Sequence, residues 1–254
     1  MRQARMEKTA AGKTLWITGA GSGIGRATAL ELAAGMAGSG ARLALSGRRQ
    51  EALAAVRREV LDLGADCEIF PLDVADQQAV QAVAAQIRER LGTVSVLVGC
   101  AGANIERRRL EQLTPQAWDG VININLNGAL YPMLSVLEGM RAQGDGLFVT
   151  ISSWVGRYPA AVTGAAYAAS KRALIALSES INLEENAHGI RSCVICPAAV
   201  ATEIMDKRPQ PPSASERAAM LQAQDVARMI AFIAAYPTRV CVNEIVLSPT
   251  KCPV

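Results

Sequence analysis

Residues 14–36 read TLWITGAGSGIGRATALELAAGM. The stretch opens as a short apolar run and closes with alanine and leucine at helical spacing. Between the two, Thr18-Gly19-Ala20-Gly21-Ser22-Gly23-Ile24-Gly25 forms a turn crowded with glycine. Such a turn lets the backbone approach a pyrophosphate closely. The helix that follows offers its free amides and the positive end of its dipole to the negative charge. A tight turn alone does not call for so many glycines. No Gly-Lys-Ser/Thr is present in the loop, so a nucleoside-triphosphate loop is not favoured.

The same alternation continues along the chain. Apolar strands are expected at 14–20, 41–47, 67–74, 94–102, 146–153, 190–198 and 242–249, with helical patterns between them. Asp76 is a natural N-cap for one helix. Thr114 and Pro115 suit the N-cap and first turn of another, expected to run unbroken through Asn125 towards Met140. Strands apolar on both faces, alternating with helices, imply a single-domain α/β fold: a doubly wound parallel sheet of Rossmann type, flanked by helices on both faces. The domain is expected over 13–254, with residues 1–12 as an N-terminal extension. Residues 198–216 are proline- and serine-rich and read as a substrate loop or lid.

Composition narrows the function. The chain has 254 residues, half of them hydrophobic, and a formal net charge of +3. That balance does not suggest nucleic-acid binding. Arg107-Arg108-Arg109 is interleaved with Glu106 and Glu111 and reads as a solvated face. The N-terminal residues lack an apolar signal-peptide core, and the uncharged run 120–137 holds three asparagines and a proline, so no membrane span is expected. Six cysteines without a secretory signal fit reduced thiols in the cytoplasm. Cys193 and Cys196 form a C-x-x-C, but RSCVICPA reads as a buried strand rather than a redox or metal site.

The chemistry centres on GAAYAASKRALIAL, residues 164–177. Tyr167 and Lys171 stand four apart and so share a helix face. A neighbouring ammonium is expected to lower the phenol pKa, making the tyrosine a suitable acid or base for interconverting a carbonyl and an alcohol. Ser153, at the end of the fifth strand, would orient the substrate oxygen. A tyrosine packed beside a snorkelling lysine is the plainer reading of the pair. Asp73, after the third strand, suits either a hydrogen bond from an adenine amino group or a helix entry.

TGAGSGIG, LDV, VLVGCAG, ISSWVG, YAASK and CPAAVAT occur in this order over roughly residues 13–250. Together they resemble the short-chain dehydrogenases/reductases. The resemblance implies that Tyr167 is the catalytic acid/base, that Lys171 tunes it and binds the nicotinamide ribose, and that Ser153 positions the substrate oxygen. It implies that Asn125 holds a water in a proton relay. Cofactor contacts are implied at Gly19, Gly21, Ser22, Gly23, Ile24, Gly25, Asp73, Val74, Ala101, Gly102, Tyr167, Lys171, Pro197, Val200 and Thr202. Gly99-Cys100 departs from the family's Asn-Asn, and Ala198 from its Gly. The Ser153–Tyr167 gap is one residue longer than usual, which makes Ser152 a rival for the catalytic hydroxyl.

Gly47 stands where an NAD-preferring relative carries a carboxylate, and Arg48 and Arg49 follow it. The expected cofactor is therefore NADP(H) rather than NAD(H). The substrate is expected to be a small ketone or secondary alcohol. VNEIVLSPT, at 242–250, resembles a subgroup that includes dehydrogenases of 3-hydroxy acids. Alternatives are a 3-oxoacyl-thioester reductase and a cofactor-binding regulator without turnover. Leu130, Leu134, Leu137, Leu174, Ile175 and Leu177 lie on two apolar helices. In the resembled family the equivalent helices pair across a twofold axis, so a homodimer or homotetramer is expected.

Overall fold

The computed structural model describes residues 12–251, so all but the last residue of the expected N-terminal extension lies outside the described residues. Its strands are β1 (Thr14–Thr18), β2 (Arg42–Gly47), β3 (Asp66–Pro71), β4 (Val94–Gly99), β5 (Gly146–Ile151), β6 (Ile190–Pro197) and β7 (Glu244–Leu247). All pair in parallel, in the order β3-β2-β1-β4-β5-β6-β7. The order reverses beside β1, which has β2 on one side and β4 on the other. A cleft opens at the carboxyl ends of strands around such a reversal.

The helices are α1 (Gly23–Met36), α2 (Gln50–Asp62), α3 (Gln77–Leu91), α4 (Pro115–Ile122), α5 (Gly128–Gln143), α6 (Ala165–Glu184), α7 (Ala214–Ala219) and α8 (Ala223–Ala234). Alternate strand residues point to opposite faces. Leu15 and Ile17 of β1 accordingly join one core with Leu32 of α1, Val56 of α2 and Ile230 of α8. Trp16, between them, joins the other core with Ile87 of α3 and Val136 of α5. The same rule separates Cys193 from Cys196, which lie in different buried clusters. Burial pushes both thiols up to about 12, and the pair is structural.

Local signals hold where they were expected. Asp76 accepts a hydrogen bond from the Ala79 amide at 3.0 Å, and Thr114 accepts one from Ala117 at 3.2 Å. Strands β1, β3, β4 and β5 stop two or three residues short of the sequence expectation. Those residues leave the ladder and form the loops of the cleft. The helix expected to run unbroken from Pro115 is instead interrupted by a π-turn at Asn123–Asn127. Leu174 and Ile175 are buried within the subunit, so they cannot contribute to an interface; Leu134, on α5, is 57% exposed. Among the described residues no helix is long and apolar enough to cross a membrane.

Candidate active site

The glycine loop ties β1 to α1 and touches the loop after β4. Gly19 has φ of +68°, and a Cβ there would stand 2.7 Å from the Ala101 nitrogen. A Cβ at Gly25 would overlap the Gly19 carbonyl. These two positions admit only glycine, because neighbouring backbone fills the space. The Thr202 methyl would lie 3.2 Å from a Cβ at Gly23, so residue 202 leans over the start of α1. The resulting cradle is lined by main chain and ends in free helix amides, as a pyrophosphate requires.

Other expected cofactor residues are more mixed. Asp73 is exposed, and one carboxylate oxygen already accepts from the Ala75 amide at 3.0 Å. That bond shapes the turn that leads into α3. Val74 is buried, and a Cβ on Gly128 would overlap its side chain, so its main chain is what a ligand can meet. Val200 is likewise a core side chain. Its neighbours pair with Leu221, through Ala201 N to Leu221 O at 2.8 Å and Leu221 N to Ala199 O at 3.1 Å. The start of the expected lid is therefore tied to the chain five residues beyond its end. Within it lie a 3₁₀ turn, Glu203–Lys207, and α7 behind a Ser213/Glu216 capping box.

Arg49 pairs with Glu203 of this loop at 3.1 Å, and both side chains are exposed. Arg48 is exposed and makes no hydrogen bond or ion pair among the described residues.

The two adjacent serines after β5 part company. Ser152 is buried and donates to the Lys171 carbonyl at 2.7 Å, which removes it as a rival. The Ser153 hydroxyl lies beside the Tyr167 phenol and favours its ionised form. It also accepts from the Val155 amide at 3.4 Å.

Lys171 is 4% exposed, lies 5.6 Å from the Tyr167 ring centroid and donates to the Ile151 carbonyl at 2.7 Å. Burial drives its pKa down to about 8. Burial also raises the Tyr167 pKa, while the Ser153 hydrogen bond and the charges of Arg208 and Arg108 pull it down. In the free protein the charges of two arginines pull the phenol down, and the Lys171 amine is anchored on a carbonyl.

Asn125 explains the π-turn. Its Oδ1 accepts from the Ala103 amide at 2.7 Å. Its Nδ2 donates to the Ala103 carbonyl and to the Ser170 hydroxyl, both at 3.0 Å. An asparagine that bonds a foreign backbone segment on both edges distorts its own helix to reach it. The side chain clamps the loop after β4 to the helix of Tyr167. A Cβ on Gly102 would lie 3.5 Å from Lys171 Nζ and 3.6 Å from Asn125 Oδ1. Those two polar atoms therefore border one small space.

The sequence profile described as short chain dehydrogenase matches residues 13–212. The chain belongs to this family. Among relatives, it is 34% identical over 196 residues to levodione reductase of Leifsonia aquatica, covering 76% of this chain and 72% of that one. It is 32% identical over 251 residues to glycine betaine reductase ATRR of Emericella nidulans, covering 96% of this chain but 19% of that protein. Among solved structures, an alcohol dehydrogenase from the archaeon Thermococcus sibiricus, complexed with 5-hydroxy-NADP, superposes with a TM-score of 0.84. That match has 27% identity and covers 95% of this chain and 98% of the other. This short-chain dehydrogenase is thus an oxidoreductase of a family that interconverts alcohols and carbonyls with a nicotinamide cofactor.

The buried lysine carries a folding cost whose sign can be worked out. An unfolded lysine keeps its proton up to about pH 10.4, whereas folded Lys171 keeps it only to about 8. Between these values the unfolded chain binds more protons, so stability rises with pH there. Below about pH 8 the cost is present in full, about 3 kcal/mol. Lys171→Met removes it. The stability of the Met variant relative to wild type is expected to fall by about that amount between pH 7 and pH 10.5. Urea denaturation of the cofactor-free proteins at both pH values measures it. A difference independent of pH would show that the amine is not desolvated.

Proposed function

We propose that this chain is an NADP(H)-dependent oxidoreductase of a small ketone or secondary alcohol, in the cytoplasm. The observation that carries the reading is the convergence of the Tyr167 phenol, the Ser153 hydroxyl and the Lys171 amine beside the glycine loop. The glycine cradle and Thr202 would hold the pyrophosphate, Lys171 the ribose, and Arg48 the 2′-phosphate. When bound, the cofactor supplies or accepts the hydride.

Tyr167 gives a proton to the substrate oxygen in reduction and takes it back in oxidation. A phenol is protonated at neutral pH and burial raises its pKa further, which suits the acid role. Ser153 donates to the same oxygen and fixes its place. Asn125 positions the loop after β4, and a water in the space it shares with Lys171 would carry protons outwards. The cofactor-bearing relative among solved structures supports NADP(H) as the cofactor.

NADPH oxidation against ketones, oxo acids and acyl thioesters tests the proposal. Turnover of at least one ketone or oxo acid is expected. Turnover confined to acyl thioesters would favour the thioester-reductase alternative, and cofactor binding without any turnover would favour a regulator. We also propose a closed homo-oligomer, supported by exposed Leu134 on α5. Light scattering at micromolar protein should give at least twice the monomer mass of 26.8 kDa.

A further inference from the structure

Arg107, Arg108 and Arg109 read in sequence as one solvated face. The structure separates them: Arg107 and Arg109 are exposed, whereas Arg108 is 5% exposed. Burying a guanidinium is costly unless it is paired. Arg108 forms no ion pair with any described residue. It donates to the Lys207 carbonyl and, at 3.4 Å, to the Val162 carbonyl, and its Nε is buried with no partner.

Its position is specific. Gly164 opens α6, three residues before Tyr167, and a Cβ there would press on Arg108 Cβ at 2.6 Å and Cγ at 3.1 Å. On its far side, Arg108 holds the lid at Lys207. The next residue is Arg208, half-buried, whose side chain makes no hydrogen bond or ion pair among the described residues. The two guanidinium groups thus lie within electrostatic reach of each other where the lid faces the catalytic helix, and both fields reach the Tyr167 phenol. Glu106 and Glu216 are the acids whose charges reach them. Both are exposed, and neither forms an ion pair with either arginine. A latch between loops needs only neutral donors, such as an amide, and does not call for a guanidinium. It explains neither the buried free Nε nor the second cation.

We propose that Arg108 and Arg208 form the recognition site for a carboxylate carried by the substrate, so that this enzyme acts on short oxo or hydroxy acids rather than on neutral ketones. The proposal rests on the oxidoreductase reading above and adds the substrate class. The phenol and Ser153 mark the reacting oxygen, and the two arginines mark the anionic end. Guanidinium groups suit the second task because their fork matches a carboxylate.

The test compares kcat/KM for 3-oxobutanoate and its uncharged methyl ester, with NADPH, in wild type and in Arg108→Gln and Arg208→Gln. Loss of a charge-assisted contact is expected to lower the acid-to-ester ratio about ten- to a hundredfold in each variant. A general disturbance of the site would lower both activities and leave the ratio alone. Should Arg108→Gln not fold, Arg208→Gln, on the lid, carries the test. An unchanged ratio would overturn the inference while leaving the oxidoreductase reading intact. If neither compound is turned over, titration of the enzyme–NADP complex with butanoate and butanamide decides. Butanoate binding that is absent with the amide and lost in Arg208→Gln supports the carboxylate site; equal behaviour of the two ligands overturns it.

Discussion

Phenylalanine at position 167 is expected to lower kcat by about 10²–10⁴-fold, the usual contribution of a positioned acid or base. Cofactor affinity should change little. The substitution keeps the ring that lies 5.6 Å from Lys171 Nζ, and it keeps the helix whose Ser170 hydroxyl donates to the residue-167 carbonyl at 2.8 Å. What it removes is the transferable proton and the hydroxyl beside Ser153. In the cofactor-free protein the phenol titrates above its ordinary value, with burial the largest cause. It therefore enters the reaction protonated at neutral pH, and because the same phenol gives and takes the proton, kcat/KM should fall alike for reduction and oxidation. Cofactor binding by fluorescence, with turnover on the best substrate, separates the two effects. A variant within a few-fold of wild type would remove Tyr167 from the mechanism.

How much of this site the sequence discloses depends on how local each cause is. The sheet follows from apolar runs and helical spacing, and the caps at Asp76 and Thr114 from short-range chemistry. Tyr167 and Lys171 share a face because of helix geometry alone. The glycine loop shows itself because Gly19 and Gly25 meet backbone in the same turn or in the next loop.

What stays hidden depends on segments that return from far along the chain. Arg108 looks solvated until Val162 and Lys207 close over it. Asn125 looks like an ill-placed helical asparagine until the Ala103 backbone arrives beside it. The choice between Ser152 and Ser153 turns on the Lys171 carbonyl, which takes the hydroxyl of the first. Lys171 itself was expected to serve the phenol; in the free protein the Ile151 carbonyl claims it. The ammonium has two donors beyond that bond for a ribose, but the carbonyl that anchors it is a partner no pattern of residue types reveals.

Cofactor choice is the other large effect, and it should be decided at the end of β2. NADP(H) is expected to exceed NAD(H) in kcat/KM by about ten- to a hundredfold, the equivalent of one charge-assisted contact of about 1.5–3 kcal/mol. A Cβ at Gly47 would lie 3.9 Å from the Ala20 and Gly21 amides, so this position borders the glycine loop. It is 3.6 Å from Leu53 Cδ2, an ordinary contact, and an aspartate can therefore enter without disturbing the fold. That carboxylate would repel a 2′-phosphate and accept a bond from a 2′-hydroxyl. Of the two arginines that follow, Arg49 is held by Glu203, which leaves Arg48 to read the phosphate. Both stand at the amino end of α2, where cations oppose the helix dipole and an anion would be welcome. Arg48→Ala should therefore abolish most of the preference, Arg49→Ala little of it, and Gly47→Asp should reverse it. Measuring kcat/KM with both cofactors in the four proteins settles the point. Equal values in wild type, or a preference for NAD(H), would mean that Arg48 does not reach the phosphate.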